Sequence, residues 1–263
     1  MKIIGIRDEK NRYFQGIWEG ENVRVLDFLT GRVIGEKTLD RVRWDVPVRP
    51  TKIVAVGLNY RLHAEELKMP LPEEPVLFLK PSTALLPHLE TILWPSQSER
   101  VDYEAELAVV IGKEAKNVSV SEARKYILGF TAFNDVTARD LQKKDGQWTR
   151  AKGFDTFAPL GPVIDTEWWP EDTTRIRLKK NGLVCQDDTF GTMIFSVEQL
   201  VSFVSSVMTL LPGDVIATGT PAGIGPMAEG DEVSVEIEGL HPLVNIMGKK
   251  PSKTTEEDPE SHG

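Results

Sequence analysis

The sequence of 263 residues is poor in the residues that would place it in several large classes of protein. It has one cysteine, Cys185, which excludes an intramolecular disulfide and any cysteine-rich zinc or iron–sulfur site. Its 31 Lys and Arg against 40 Asp and Glu disfavour non-specific binding of nucleic acid. No apolar run approaches the roughly 18 residues of a membrane-spanning helix, and the charged N-terminus does not resemble a signal peptide. We therefore expect a cytoplasmic protein with neither a nucleic-acid nor a membrane partner.

The remaining composition is that of an ordinary globular protein with room for a small additional domain. Residues 1–49 are predicted to form a small β-rich N-terminal domain, because strand-like segments there end at Pro47 and Pro50, which interrupt strand pairing. Residues 50–248 are the predicted main domain. Residues 249–263 contain no apolar side chain and are predicted to be a disordered tail.

Strand patterns dominate the main domain. Compact apolar runs predict buried strands at 53–57 and 76–80, and an alternating pattern predicts a half-exposed strand at 231–240. The dipeptide Asn181-Gly182 predicts a tight hairpin turn. Because strands and helices do not alternate regularly, a doubly wound parallel sheet is disfavoured, and the sequence predicts a strand-rich α+β fold.

Helix signals are few. The capping-box spacing predicts helices that begin at Ser119 and at Ser196, since each serine is followed three residues later by Glu or Gln. A charged, proline-terminated segment at 60–75 is compatible with one short helical turn inside a loop.

Four carboxylates attract attention within two short segments. Asp102, Glu104 and Glu106 alternate along a strand-like segment and are predicted to share one face of it. Burying them without partners would be costly, so either this face is solvated or a cation neutralises it. Asp135 ends a second strand-like run and would complete a set of oxygen ligands suited to Mg²⁺ or Mn²⁺.

His63 is the histidine whose neighbours best suit acid–base chemistry. In a helical turn Glu66 would lie beside it, and a neighbouring carboxylate orients an imidazole and raises its basicity, as a general base requires. An ordinary surface pair is the alternative that these two residues leave open.

Seven segments, in order along residues 53–248, together resemble the fumarylacetoacetate hydrolase family. They are GLNYRLHAEE (57–66), PVLFLKPS (75–82), DYEAELAVVIG (102–112), FNDVTARDLQ (133–142), KGFDTFAPLGP (152–162), TMIFS (192–196) and LLPGDVIATGTPAGIG (210–225). The N-terminal segment resembles the small domain that many bacterial members carry. The resemblance implies a mixed β-sandwich or roll around a metal cleft, usually assembled as a homodimer.

The resemblance also implies roles for single residues. The implied metal ligands are Glu104, Glu106 and Asp135. The implied catalytic residues are His63 and Glu66, on a lid that is ordered when substrate binds, and Lys152, which would hold developing negative charge. The residues implied to bind or lie near the substrate are Arg139, Gln142, Thr220 and Lys80.

Taken singly, several of these residues have simpler interpretations. Lys152 could be a surface cation, Arg139 a partner of Asp140 or Asp135, and Gln142 an outward-facing loop residue. The glycines of ATGTPAGIG are not expected to form a phosphate loop, because no Gly-Lys-Ser/Thr follows them. The agreement of several motifs favours the site over these alternatives.

The implied function is a divalent-metal-dependent enzyme that acts on small 2-oxo or β-dicarbonyl acids through a stabilised enolate. We expect hydrolysis of a C–C bond in an acylpyruvate or a fumarylacetoacetate-like substrate. Decarboxylation or tautomerisation is the alternative, on oxaloacetate or on 2-hydroxyhepta-2,4-diene-1,7-dioate from aromatic catabolism, since all three reactions share the enolate. A catalytically silent relative that binds a metabolite is the alternative of another class.

Overall fold

The computed structural model describes residues 1–27 and 31–251. Within this part of the chain the strands, in order, are β1 Lys2–Arg7, β2 Tyr13–Glu19, β3 Asn22–Leu26, β4 Val33–Thr38, β5 Arg43–Asp45, β6 Ile53–Val56, β7 Leu77–Lys80, β8 Leu85–Leu86, β9 Thr91–Ile92, β10 Val101–Tyr103, β11 Ala105–Ile111, β12 Ile127–Asn134, β13 Thr137–Ala138, β14 Ala158–Asp165, β15 Arg175–Lys180, β16 Leu183–Thr189, β17 Val215–Ala217, β18 Gly225–Pro226, β19 Glu232–Ile237 and β20 Leu243–Met247.

Helices are short and few in the described residues. The α-helices are α1 Arg61–Glu66, α2 Arg139–Asp145, α3 Thr149–Lys152 and α4 Val197–Val207, and the 3-10 helices are Leu39–Arg41, Ser82–Ala84, Val120–Tyr126 and Phe190–Thr192. None of the helices in this part of the chain is long and apolar enough to cross a membrane.

The strands form one large mixed sheet and two smaller sheets. The large sheet has the order β4-β3-β2-β1-β14-β12-β11-β17-β6-β7, with β5 paired to β1 and β8 paired to β14. A second sheet has the order β16-β15-β19-β20-β9, and a three-stranded sheet has the order β13-β10-β18. In the large sheet β6 and β17 run parallel, whereas β11 is antiparallel to both of its neighbours.

The hydrophobic core lies between the large sheet and the five-stranded sheet. Every residue of β11 is buried, as expected for a central strand covered on both faces. Leu107 and Val109 of β11 belong to the same buried cluster as Leu178 of β15 and Val235 of β19. The predicted strand-rich fold of sandwich type is therefore confirmed.

The N-terminal strands extend the large sheet. β1 pairs with β2 on one side and with β14 on the other, so that Ile4 lies opposite Val163. Both residues belong to a small cluster of buried apolar side chains at this end of the sheet, which is separate from the two larger clusters. The division at residue 49 stays a prediction, and the predicted tail lies outside the described residues from residue 252 onward.

The local predictions have mixed outcomes. The hairpin is present, with Asn181 and Gly182 both at positive φ, 51° and 78°. The capping box at Ser196 is also present, because Ser196 Oγ accepts from Gln199 N–H and Gln199 Oε1 accepts from Ser196 N–H. At Ser119 a helix does begin, as the 3-10 helix Val120–Tyr126, but the predicted capping box is absent, because the Ser119 hydroxyl contacts the hydroxyl of Ser121 and caps no backbone N–H.

Candidate active site

The acidic segment contains a break between two strands. β10 ends at Tyr103 and β11 begins at Ala105, so Glu104 lies between strands that belong to different sheets. The Glu104 N–H donates to Asn134 Oδ1 at 3.0 Å, and the Glu104 carbonyl accepts from Asp135 N–H at 2.9 Å. These bonds fix the end of β12 against the acidic segment and bring Asp135 to the glutamates.

Glu104, Glu106 and Asp135 form a buried triad of carboxylates. One oxygen from each lies within 4.8 Å of the others, and all three residues are buried. The three carboxylates supply the hard oxygen donors that Mg²⁺ or Mn²⁺ prefers, and these oxygens converge on one small region. The ligand set predicted from the sequence is therefore brought together, and it fits a divalent cation.

Two buried lysines lie against the triad. Lys152, only 2% exposed, donates to Glu104 Oε2 at 2.9 Å and to Asp135 Oδ2 at 2.6 Å. Lys80 contacts Asp135 Oδ1 and donates to the Val136 carbonyl at 3.1 Å. The interpretation of Lys152 as a surface cation is thus wrong. The oxygens that accept from the two ammonium groups, Glu104 Oε2 and both oxygens of Asp135, each keep a further lone pair, so these contacts are compatible with a bound metal ion.

Arg139 links the triad to Asp102. Its guanidinium donates to Asp102 Oδ2 at 2.9 Å, contacts Glu104 Oε1, and donates to Gln142 Oε1 at 2.6 Å. Asp102 also binds the Arg100 side chain. Asp102 is therefore buried and neutralised by two arginines, outside the triad, and Arg139 pairs with neither of the partners suggested for it as a simple ion pair.

The carboxylates differ in how their charge is compensated. Burial acts to raise the pKa of Glu104, but Lys152 and Arg139 outweigh it and hold that pKa below its usual value. Burial, followed by the charges of Asp135 and Glu104, raises the pKa of Glu106 well above its usual value. Glu106 Oε2 accepts from Gly219 N–H at 2.9 Å. Glu106 is the triad member with the least compensating charge, and an added cation would stabilise its ionised form.

The lysines respond in opposite directions. For Lys152, the attraction of Asp135 and Glu104 outweighs desolvation, and its pKa is raised. For Lys80, desolvation is the largest effect and the neighbouring Lys152 adds to it, so its pKa is lowered despite Asp135.

The predicted His63–Glu66 pair is present on α1. His63 is buried, and its Nδ1 lies 2.9 Å from Glu66 Oε2. A neutral His63 that donates from Nδ1 carries its lone pair on Nε2, where a proton can be accepted. Immediately before the helix, the Asn59 side chain donates to the carbonyls of Phe195 and Thr218, which attaches α1 to two other segments.

One loop, residues 218–223, connects α1 with the triad. Its Gly219 N–H donates to Glu106, and its Gly223 N–H donates to Glu66 Oε1 at 3.2 Å. Gly219 has φ 91° and a Cβ there would lie 2.7 Å from the Asn59 Cβ; Gly223 has φ 96° and a Cβ would lie 2.3 Å from the Cys185 carbonyl oxygen. These glycines allow a tight backbone path, and their N–H groups donate to Glu106 and Glu66.

Gln186 is a functional candidate that the sequence interpretation missed. It is buried and donates to Thr220 Oγ1 at 2.9 Å, so the hydroxyl of the predicted substrate-binding Thr220 is engaged in the structure. Gln186 and Asp188 are the buried positions of β16 beside exposed Asp187. Polar residues alternating onto the inward face of a strand were the available signal.

Comparisons with known proteins identify the family of the chain. The family profile described as fumarylacetoacetate (FAA) hydrolase C-terminal matches residues 52–247. A mitochondrial oxaloacetate tautomerase of Bos taurus is 41% identical over 208 residues, which are 75% of this chain and 66% of that protein.

Two solved structures are also similar. A 5-carboxymethyl-2-hydroxymuconate delta-isomerase from Mycobacterium smegmatis is 41% identical with a TM-score of 0.86, covering 95% of this chain and 100% of that chain. A fumarylpyruvate hydrolase from Pseudomonas aeruginosa, in complex with Mn²⁺ and pyruvate, is 32% identical with a TM-score of 0.72, covering 77% of this chain and 91% of that chain.

Proposed function

The chain belongs to the fumarylacetoacetate hydrolase family, and from this premise we propose that it is a divalent-metal-dependent enzyme acting on small 2-oxo or β-dicarbonyl acids. The observation that carries the proposal is the buried triad of Glu104, Glu106 and Asp135, with ligand oxygens within 4.8 Å of one another. These residues would hold Mg²⁺ or Mn²⁺; the relative in complex with Mn²⁺ and pyruvate supports this choice of metal. When bound, the cation supplies Lewis-acid stabilisation of negative charge on substrate oxygens.

The charge of the site favours an anionic substrate. In their ionised forms, four carboxylates are balanced by four cations: Asp102, Glu104, Glu106 and Asp135 against Lys80, Arg100, Arg139 and Lys152. A divalent cation would leave an excess of positive charge. Fixed positive charge in a site with little water attracts a carboxylate and stabilises an enolate oxygen, which suits a dicarboxylic 2-oxo acid.

The chain's own groups supply the proton chemistry. We assign His63 as the general base, with Glu66 holding Nδ1 and leaving Nε2 to remove or return a proton at the carbon next to the carbonyl. Lys152 and Arg139 would stabilise the negative charge that this creates, with Lys80 holding Asp135 in place. Gln142 accepts a hydrogen bond from Arg139 and would orient it, and Thr220, whose hydroxyl accepts from Gln186, is proposed to contact the substrate.

Of the reactions that share this enolate, we propose keto–enol isomerisation of a 2-oxo acid first. It is supported by the isomerase that matches 95% of this chain, N-terminal strands included, and by the oxaloacetate tautomerase relative. Hydrolysis of a C–C bond, the reaction expected from the sequence, is the second candidate. It is supported by the buried His63–Glu66 pair, which could activate a water molecule, and by the fumarylpyruvate hydrolase relative.

The test follows products by NMR with Mg²⁺, using oxaloacetate and an acylpyruvate, against controls with a chelator. Accelerated interconversion of the keto and enol forms of oxaloacetate, abolished by the chelator, is the expected result. Pyruvate plus a free carboxylic acid from the acylpyruvate would instead select hydrolysis. Failure of both substrates, and of a longer dienedioate, to react in a metal-dependent way would overturn the proposal and favour a silent metabolite-binding protein.

A further inference from the structure

The side-chain amide of Gln186 uses all of its hydrogen-bonding donors inside the protein. Gln186 is 1% exposed. Its Oε1 accepts from Ala105 N–H at 2.9 Å, and its Nε2 donates to Thr220 Oγ1 at 2.9 Å and to the Pro221 carbonyl at 2.7 Å. Three bonds at one buried amide hold it in a single orientation, because a flipped amide would lose all three.

The partners of this amide adjoin the carboxylate triad. Ala105 is the residue between Glu104 and Glu106, so its N–H lies in the short backbone segment that separates the two glutamates. Thr220 follows Gly219, whose N–H donates to Glu106 Oε2 at 2.9 Å. One side chain thus joins the strand that carries both glutamates to the loop that orients one of them.

The backbone of Gln186 lies in β16, the edge strand of the five-stranded sheet, beside a shift in the register of its pairing with β15. β16 pairs with β15, and Gln186 lies opposite Leu178, a fully buried core residue. On its other side β16 supports the loop directly, since a Cβ at Gly223 would lie 2.3 Å from the Cys185 carbonyl oxygen. The amide therefore extends from a paired strand that also lies against the loop, and regular secondary structure positions functional groups more precisely than a loop does.

We propose that Gln186 is a positioning residue for the metal centre. By holding Ala105 and the Thr220-Pro221 segment, it sets the separation of Glu104 and Glu106 and the direction of the Glu106 carboxylate. The proposal rests on the metal-dependent function proposed above. Its expected signature is a loss of metal affinity, because groups that orient metal ligands typically contribute about 10- to 100-fold to it.

The test measures Mn²⁺ affinity by electron paramagnetic resonance of free Mn²⁺, together with the midpoint of thermal unfolding. Gln186→Met keeps the side-chain length and removes all three hydrogen bonds. The matched control is Asn245→Leu in β20 of the same sheet, which removes a buried amide that donates to the carbonyls of Pro87 and Glu90. We expect Gln186→Met to weaken Mn²⁺ binding about 10- to 100-fold. Asn245→Leu should lower the unfolding temperature and leave Mn²⁺ affinity at the wild-type value.

Wild-type affinity in folded Gln186→Met would overturn the proposal, as would an equal loss in Asn245→Leu. If Gln186→Met does not fold, Gln186→Asn takes its place, because the shorter amide cannot reach both the strand and the loop; its unchanged affinity would overturn the proposal equally. Failure of the wild-type protein to bind Mn²⁺ would overturn the proposed function as well, so the two failures are distinguishable.

Discussion

The parallel pair β6 and β17 has a buried acidic group near each end, and the two ends differ in how the charge is satisfied. At the amino ends, Asp214 accepts from five protein donors: Thr51 N–H, the Thr51 hydroxyl, Lys52 N–H, the Lys52 ammonium and Leu211 N–H. Near the carboxyl ends, Glu106 accepts from Gly219 N–H beside two other carboxylates.

This difference distinguishes a carboxylate that stabilises the fold, Asp214, from one that is suited to bind a cation, Glu106. Desolvation would raise the pKa of Asp214, but the hydrogen bonds from Leu211 and Lys52 outweigh it and lower that pKa. The pKa of Glu106 is instead raised, because burial is reinforced by Asp135 and Glu104. A carboxylate with a complete set of donors stabilises the fold, whereas the ionised form of Glu106, crowded by Asp135 and Glu104, is unfavourable until a cation compensates it.

The largest effect is expected at Glu106, which lies beside two other carboxylates. Glu106→Gln removes a ligand charge and should reduce metal-dependent turnover and Mn²⁺ binding below detection, while the unfolding temperature stays at or above that of the wild type because like-charge repulsion is relieved. Activity assays and Mn²⁺ titration check this. Glu122→Gln, at an exposed position paired with Lys125, is the matched control and should change neither quantity. Activity at the wild-type level in Glu106→Gln would remove Glu106 from the ligand set.

A smaller effect is expected at His63 on α1, which the loop of residues 218–223 links to the triad. His63→Ala should lower kcat by about 10²- to 10⁴-fold, the usual contribution of a general base, and leave Mn²⁺ affinity unchanged. His241→Ala, which alters a histidine packed against Trp18 outside the site, serves as the control and should retain kcat. A fall in Mn²⁺ affinity with unchanged kcat in His63→Ala would contradict the assignment of His63.

At Asp214 we expect the opposite result, a loss of stability without a loss of metal binding. Asp214→Asn leaves Lys52 without its charged partner and should cost about 3 kcal/mol of unfolding free energy in urea, with Mn²⁺ affinity unchanged. A change in Mn²⁺ affinity without loss of stability would reverse the roles assigned to the two ends.

The smallest expected effect is the pH dependence of the stability that Asp214 contributes. Because the pKa of Asp214 is lowered in the folded protein, its ionised form stabilises the fold above the unfolded pKa of about 3.9, and this stability is lost as pH falls through the folded value. The stability difference between wild type and Asp214→Asn should therefore be constant from pH 7 to about pH 5 and shrink below it. Urea unfolding at several pH values measures this difference, and an increase toward low pH would contradict it.

Local sequence patterns predicted local structure well where neighbouring residues decide it. The Asn181-Gly182 turn and the Ser196 capping box depend on residues two or three positions apart, and both are present. Ser119 carries the same capping pattern, yet a 3-10 helix follows it, so the pattern alone does not determine the helix type.

Part of the site could also be predicted from local sequence patterns. Alternation correctly placed Glu104 and Glu106 together, but Asp102 is separated from them by the strand break at Glu104 and by Arg100 and Arg139, which no spacing rule shows. Gln186 contacts the site through its hydrogen bond with Ala105, which lies 81 positions away in the sequence. Such a contact depends on how two sheets pack, and that packing is determined by the whole core.

Anomalous X-ray scattering from crystals grown with Mn²⁺ tests the assignment of the metal site most directly. We expect one strong anomalous peak within coordination distance, about 2.1 Å, of carboxylate oxygens from Glu104, Glu106 and Asp135. A peak at other residues, with the triad occupied only by the ammonium groups of Lys80 and Lys152, would contradict it.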